Sequence, residues 1–152
     1  MRVFLDANIF FAAARSPEGG SSFILELAKK KKLEVYTAMQ ALLETERNIK
    51  NKLGDYYLNR HHQNILEIKV RIQPINIKEV IKLKEIIPEK DIPILSGAIL
   101  SGSQALITLD KKHFLNNEEL KRIKLPFAIM NPGNFLNKYI LKENSNECDI
   151  LA

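Results

Sequence analysis

Two aspartates follow short apolar runs that have the character of buried strands. Asp6 comes directly after Val3–Leu5, and Asp110 comes shortly after Ala105–Thr108. Apolar runs without polar alternation favour strands that are buried on both faces, as in a parallel sheet. Because ligands of open parallel sheets bind beyond the carboxyl ends of the strands, both aspartates are candidates for a functional site. The structural alternative for Asp6 is a turn cap, since Asp and Asn favour strand-ending turns.

A third aspartate, Asp91, stands at the start of the helix predicted before the second of these runs. The chain can therefore return it to the same edge of the sheet. Its structural alternative is an N-cap, with Pro93 in the first helical turn. Capping and metal binding are compatible, because a carboxylate has two oxygens.

A fourth acid is expected from the helix that follows the second predicted strand, and this helix offers Glu44 and Glu46. At 100° per residue, Glu46 shares a helical face with Leu42, Ile49 and Leu53, whereas Glu44 points nearly the opposite way. Periodicity alone therefore favours Glu46 as the inward-facing acid, and the choice between the two stays open at this point.

Carboxylates that converge in one cleft repel each other, so they need a cation or must take up protons. Oxygen ligands without histidine or thiolate support suit Mg²⁺ or Mn²⁺. Such a site can lower the pKa of a bound water and stabilise charge on a phosphate. The 23 Lys and Arg residues exceed the 18 Asp and Glu residues, giving a net charge of +5 and a pI near 9.3. A basic excess favours approach to polyanions. Metal-binding acids inside a basic protein indicate phosphodiester hydrolysis.

The composition limits the class of protein. A chain of 152 residues with 45% hydrophobic residues fits one globular domain. The single cysteine, Cys148, excludes a disulfide framework and a cysteine-rich zinc site. No apolar run is long enough for a membrane helix, and the N-terminus lacks the pattern of a signal peptide. We therefore expect a soluble cytoplasmic protein without a membrane partner.

Strand and helix patterns alternate along the chain. This alternation predicts a three-layer α/β/α sandwich around a central parallel sheet of about five strands. Ser21 and Ser22 are expected to cap the first predicted helix, and His61 and His62 are expected to lie on a solvated face. We predict one domain over residues 1–141 and a polar, mobile tail over residues 142–152. The predicted strands cover residues 3–5, 33–37, 70–72, 105–108 and 127–130, and the predicted helices cover about 23–31, 38–53, 56–69, 77–86, 91–102, 118–121 and 131–141.

Four segments, in order along the chain, resemble the acidic motifs of PIN-domain nucleases. The closing segment, Phe127 to Leu136, is also similar to the last strand and helix of that family, so the resemblance spans about residues 2–141. The four segments are Leu5-Asp6-Ala7-Asn8, which resembles the opening D-x-N; Thr37 with Leu42-Leu43-Glu44; Asp91-Ile92-Pro93-Ile94-Leu95; and Leu106-Ile107-Thr108-Leu109-Asp110, which resembles the T-x-D segment.

The resemblance implies a metal-dependent ribonuclease, often the toxin of a VapBC-type toxin–antitoxin pair. It implies RNA as the substrate, a cognate antitoxin protein as a partner, and a homodimer. It favours Glu44 over Glu46 as the second acid. The implied ligands of one or two Mg²⁺ or Mn²⁺ ions are Asp6, Glu44, Asp91 and Asp110, with Asn8 and Thr108 as polar supports.

The resemblance also has a point of departure after the last acid. Lys111, Lys112 and His113 follow Asp110, where they would contact the RNA backbone. His113 stands where many members of the family place another acid. A fifth carboxylate is therefore absent, which puts the second metal site in doubt.

Two other functions compete with this interpretation. A phosphatase of the haloacid-dehalogenase type also has an aspartate after its first strand, but it needs a second aspartate where this chain has Asn8. A non-catalytic module with the same fold could bind RNA or a protein. The retained acids argue against that module, because an uncompensated carboxylate cluster is destabilising.

Overall fold

The centre of the molecule is a parallel sheet, seen in a computed structural model that describes residues 1–142. Within these residues the sheet has five strands in the order β3-β2-β1-β4-β5, and every neighbouring pair is parallel. The three-layer α/β/α fold predicted from the sequence is confirmed. The strands are β1 (Arg2–Leu5), β2 (Glu34–Thr37), β3 (Arg71–Ile72), β4 (Ala105–Ile107) and β5 (Ala128–Met130).

The central strand β1 is buried on both faces, as its uninterrupted apolar run indicates. Val3 and Leu5 join the hydrophobic core on one side of the sheet. Phe4 joins the core on the other side, together with Leu106. Because successive side chains of a strand point to opposite faces, both helical layers are needed to cover β1.

Helices cover the two faces of the sheet. The longer ones are α1 (Ala7–Arg15), α2 (Gly20–Lys29), α3 (Met39–Lys52), α4 (Asp55–Ile68) and α6 (Ile92–Leu100); the shorter ones are α5 (Ile77–Leu83), α7 (Glu118–Arg122) and α8 (Pro132–Leu136). A 3₁₀ turn at Glu89–Asp91 precedes α6, and π-helical segments occupy Lys111–Leu115 and Asn137–Leu141. Within the described part of the chain, no helix is both long enough and apolar enough to cross a bilayer.

Helix α6 packs tightly against β1 at Gly97. A Cβ atom at Gly97 would come within 2.6 Å of the Phe4 ring, so only glycine fits at this crossing. This contact brings the beginning of α6, with Asp91 before it, towards the end of β1.

The start of α2 differs from the prediction. Gly19 is the N-cap, and both Ser21 and Ser22 are buried inside the helix. The Ser22 hydroxyl lies 2.9 Å from the carbonyl oxygen of Ala13 and 2.6 Å from that of Ser16. The serine therefore ties α2 to the end of α1, and the predicted capping role is wrong.

The prediction for the two adjacent histidines of α4 is half wrong. His62 is exposed as expected, but only 2% of His61 is exposed, and its ring lies edge-on to Phe10. Burial lowers the pKa of His61 to about 4, and the neighbouring His62 acts in the same direction. His61 is thus a neutral core residue at physiological pH.

The predicted tail falls almost entirely outside the described residues. Lys142 is still helical, and residues 143–152, with Cys148, lie beyond the described part. The domain boundary at residue 141 and the mobile tail stay predictions.

Candidate metal centre

A cavity of about 210 Å³ opens at the carboxyl end of the central strands. The four carboxylates singled out from the sequence all line it. Cations, amides and one aromatic ring complete its wall. The lining residues are Asp6, Ala7, Asn8, Phe11, Glu44, Asn48, Lys52, Lys90, Asp91 and Asp110.

Asp6 is held at the junction of β1 and α1. Its backbone N–H continues the sheet by donating to the carbonyl of Ile107 over 3.1 Å. Its side chain caps α1, because Oδ1 accepts from the N–H of Ala7 at 2.7 Å. Asp6 therefore does cap the turn, but only with Oδ1. Its second oxygen, Oδ2, accepts a hydrogen bond from the Thr108 hydroxyl at 2.7 Å.

Asp6 is a buried acid, with 7% of its surface exposed to solvent. Burial raises its pKa to about 6, and the negative charges of Asp91 and Glu44 add to the rise. The hydrogen bonds that Asp6 accepts from Thr108 and Ala7 act in the opposite direction and lower its pKa. The cavity therefore favours a positive charge beside this carboxylate.

Thr108 and Asn8 connect the ends of β1 and β4. While donating to Asp6, the Thr108 hydroxyl also accepts from the backbone N–H of Asp110 at 3.0 Å. Asn8 accepts from the N–H of Leu109 at 3.0 Å and donates to Asp6 Oδ2 at 3.3 Å. These bonds fix the position of Asp6 relative to Asp110, which is the geometry that polar supports would need.

The two carboxylate oxygens of Asp110 have different surroundings. Oδ1 accepts from the backbone N–H of His113 at 2.9 Å and thereby caps the π-helical segment Lys111–Leu115. Oδ2 lies 3.2 Å from Nδ1 of the same histidine. The imidazole of His113 therefore points towards the acids rather than out towards solvent, a position that the sequence analysis missed.

Asp91 occupies the N-cap position of α6 but makes no capping hydrogen bond with its side chain. Its Oδ2 lies 2.8 Å from His113 Nδ1, although neither of these buried atoms has an aligned hydrogen-bond partner. Burial raises the pKa of Asp91, while the positive charge available at His113 acts against the rise. The capping alternative for this side chain is wrong.

Helix α3 turns Glu44, not Glu46, towards the cavity. Its buried positions are Ala41, Thr45 and Ile49, and the Thr45 hydroxyl lies 3.1 Å from the carbonyl oxygen of Ala7. Glu46 instead pairs with Lys50 on the outer surface, at 3.0 Å. Periodicity favoured Glu46 because it counted only large apolar residues, whereas the buried face also contains Ala41 and Thr45.

The donor set fits a hard divalent cation. Carboxylate oxygens are the preferred ligands of Mg²⁺ and Mn²⁺, and an ion between them would relieve their mutual repulsion. Asp91 Oδ2 is a buried oxygen without a hydrogen-bond partner, so it retains a lone pair for such an ion. Asp91, Asp110 and His113 together offer one donor atom each within 4.8 Å of one another.

Lysines stand at the rim of the same cavity. Lys52 and Lys90 line it, and Lys52 Nζ lies 5.8 Å from the centre of the Phe11 ring. Lys111 and Lys112 are exposed beyond Asp110. A polyanion at this cavity would thus lie next to cations as well as acids.

Comparisons with known proteins identify the family and the fold of the chain. The PIN domain family model matches residues 2–112. The fold is similar to a chain in the crystal structure of VapBC2 from Rickettsia felis bound to a DNA fragment from their promoter, with a TM-score of 0.59 and 17% identity over 86% of this chain and 98% of that chain. At this identity the likeness concerns the fold alone. No curated protein matches the chain. Because the family model spans well over half of its length, the protein is a member of the PIN-domain family.

Proposed function

We propose that the protein is a metal-dependent endoribonuclease that hydrolyses RNA phosphodiester bonds. The observation that carries the proposal is the convergence of four carboxylates on one cavity with lysines at its rim. In this proposal Asp6, Glu44, Asp91 and Asp110 hold Mg²⁺ or Mn²⁺. Membership in the PIN-domain family supports a hydrolytic nuclease.

The roles of the side chains follow from their contacts. When bound, the ion would activate a water molecule and neutralise charge on the scissile phosphate. Asp6 would be kept ionised and oriented by its bonds to Ala7 and Thr108. Asn8 would keep Asp6 and the end of β4 in register through its amide contacts with Asp6, Thr108 and Leu109.

The substrate would approach from the side of the lysines. Lys52 and Lys90 would contact backbone phosphates next to the acids. Phe11 is partly exposed at the same wall, where an unstacked base of single-stranded RNA could lie against its ring. Single-stranded RNA is therefore the substrate class that the cavity favours.

The direct test is cleavage of end-labelled RNA with EDTA, Mg²⁺ or Mn²⁺. We expect ion-dependent cleavage by the wild type, and loss to background in Asp6→Asn and Asp110→Asn. Glu44→Gln and Glu46→Gln form a matched pair on α3: the first should abolish cleavage, and the second should leave it unchanged because Glu46 lies on the outer surface. Cleavage that survives both aspartate substitutions would overturn the proposal. RNA bound in Mn²⁺ but never cut would favour a non-catalytic binding module.

We further propose a VapC-type toxin that pairs with an antitoxin protein and forms a homodimer. The similar fold belongs to a VapBC2 structure, which supports a partner of this kind. Expression of the chain alone should arrest growth, and co-expression of a small DNA-binding protein encoded beside it should restore growth. The homodimer is checked by light scattering. A cytoplasmic location stays a prediction from the sequence.

A further inference from the structure

We propose that His113 supplies an imidazole nitrogen to the metal centre, next to Asp91 and Asp110. This inference rests on the proposed function, since it concerns the same ion. It adds a ligand of a different chemical kind to the carboxylate set. With this nitrogen ligand, we expect the site to prefer Mn²⁺ and later transition metals over Mg²⁺.

The distances between the donor atoms fit neighbouring ligands of one ion. Nδ1 of His113 lies 2.8 Å from Asp91 Oδ2 and 3.2 Å from Asp110 Oδ2. With metal–ligand bonds of about 2.1 Å and octahedral geometry, adjacent ligand atoms stand about 3 Å apart. His113 Nδ1 therefore already has the spacing to both carboxylate oxygens that neighbouring ligands of one ion require.

The alignment of these atoms argues against a simple hydrogen bond. His113 Nδ1 and Asp91 Oδ2 are both buried, and neither has a partner that meets hydrogen-bond geometry. The direction in which Nδ1 would carry a hydrogen is also the direction of its lone pair. That lone pair consequently does not point at a carboxylate oxygen, and it is available to a cation beside them.

The local backbone holds the imidazole in place. The His113 N–H donates to Asp110 Oδ1 at 2.9 Å, so the histidine and the aspartate share one capped turn. The His113 carbonyl accepts from the Asn117 side chain at 2.9 Å. About a fifth of the His113 side chain is exposed, at 21%. A ligand fixed in this way loses little conformational freedom when an ion binds.

The chemistry of the nitrogen ligand gives a measurable selectivity. Imidazole is a good ligand for Mn²⁺, Co²⁺ and Zn²⁺, whereas Mg²⁺ prefers oxygen and water. We expect His113→Ala to weaken Mn²⁺ binding by about tenfold or more and to change Mg²⁺ binding much less. His62→Ala, at an exposed histidine of α4, is the matched control and should change neither affinity.

The decisive measurement is pulsed electron paramagnetic resonance of the full chain loaded with Mn²⁺. A nitrogen hyperfine coupling is expected in the wild type, and it should change when histidine alone carries a heavier nitrogen isotope. The coupling should persist in His62→Ala and disappear in His113→Ala. Calorimetric titration of each variant with Mn²⁺ and with Mg²⁺ supplies the affinities.

The outcomes separate this inference from the function on which it rests. A wild type that binds Mn²⁺ without any histidine coupling overturns the role of His113 and leaves the carboxylate centre standing. A coupling that survives in His113→Ala overturns it as well. If the wild type binds neither Mn²⁺ nor Mg²⁺, both the role of His113 and the proposed carboxylate centre are overturned. The same holds if Asp110→Asn binds Mn²⁺ as tightly as the wild type does. The wild-type spectrum needs no variant, so a folding defect in His113→Ala cannot obscure the result.

Discussion

Replacing Asp6 with asparagine should make the metal-free protein more stable at neutral pH. Burial and neighbouring acids raise the pKa of Asp6 from 3.8 to about 6. The folded protein therefore holds the Asp6 proton more tightly than the unfolded chain does. Folding is favoured at low pH, and stability is lost as the pH rises from about 4 to about 6.

The magnitude follows from that rise. Because each pH unit corresponds to about 1.4 kcal/mol, ionising Asp6 in the fold costs about 3 kcal/mol above pH 6. Asparagine cannot ionise, but its amide replaces one acceptor oxygen and weakens the bond from Thr108, at a cost of about 1 kcal/mol. We expect Asp6→Asn to be about 2 kcal/mol more stable than the wild type at pH 7.5 and about 0.5 kcal/mol less stable at pH 4.

The assay is urea unfolding in EDTA across this pH range, followed by circular dichroism. Asp55→Asn, at an exposed position at the start of α4, controls for the exchange itself. At pH 7.5, saturating Mn²⁺ should make the wild type more stable than Asp6→Asn, since the ion stabilises only the protein that binds it. A stability difference between Asp6→Asn and wild type that is the same at pH 4 and pH 7.5 would refute the reasoning.

Two further substitutions test the packing around the site. In thermal melts, Gly97→Ala should destabilise the protein by about 1–3 kcal/mol, because the new methyl group would overlap the Phe4 ring. Gly20→Ala is the control: its Cβ would meet only ordinary contacts, so it should be neutral or slightly stabilising. Equal effects of the two glycine substitutions would contradict this account. His61→Gln should gain stability relative to the wild type as the pH falls from about 6.5 to about 4, because the buried imidazole, with its pKa lowered to about 4, resists protonation in the fold. Acid titration of unfolding measures this gain, with His62→Gln as the exposed control, and an unchanged difference across the range would count against a buried neutral His61.

The position of the acids was predictable because it depends on a rule of topology. Asp6 and Asp110 follow strands that pair in parallel, so their backbones must emerge at the same edge. The orientation of Glu44 was not predictable from periodicity. On α3 the core accepts Ala41 and Thr45, and counting only the large apolar residues places the buried face incorrectly.

The two histidines show where a local pattern carries information and where it does not. His61 is spaced by four residues from both Tyr57 and Ile65, so its helical face already indicated burial. The approach of His113 to Asp91 has no such signal. It depends on a π-helical turn and on the close packing of α6 against the sheet, and neither follows from residue spacing.

The hydrogen bond between Thr108 and Asp6 joins residues 102 positions apart. During translation β1 emerges first and can pair with β2, but its other neighbour, β4, is made much later. Contacts of such separation form late and slowly. A nascent chain shorter than β4 lacks both the support of Asp6 and the acid Asp110. Under the proposed function, the ribosome that makes this protein would face an inactive chain for most of the synthesis.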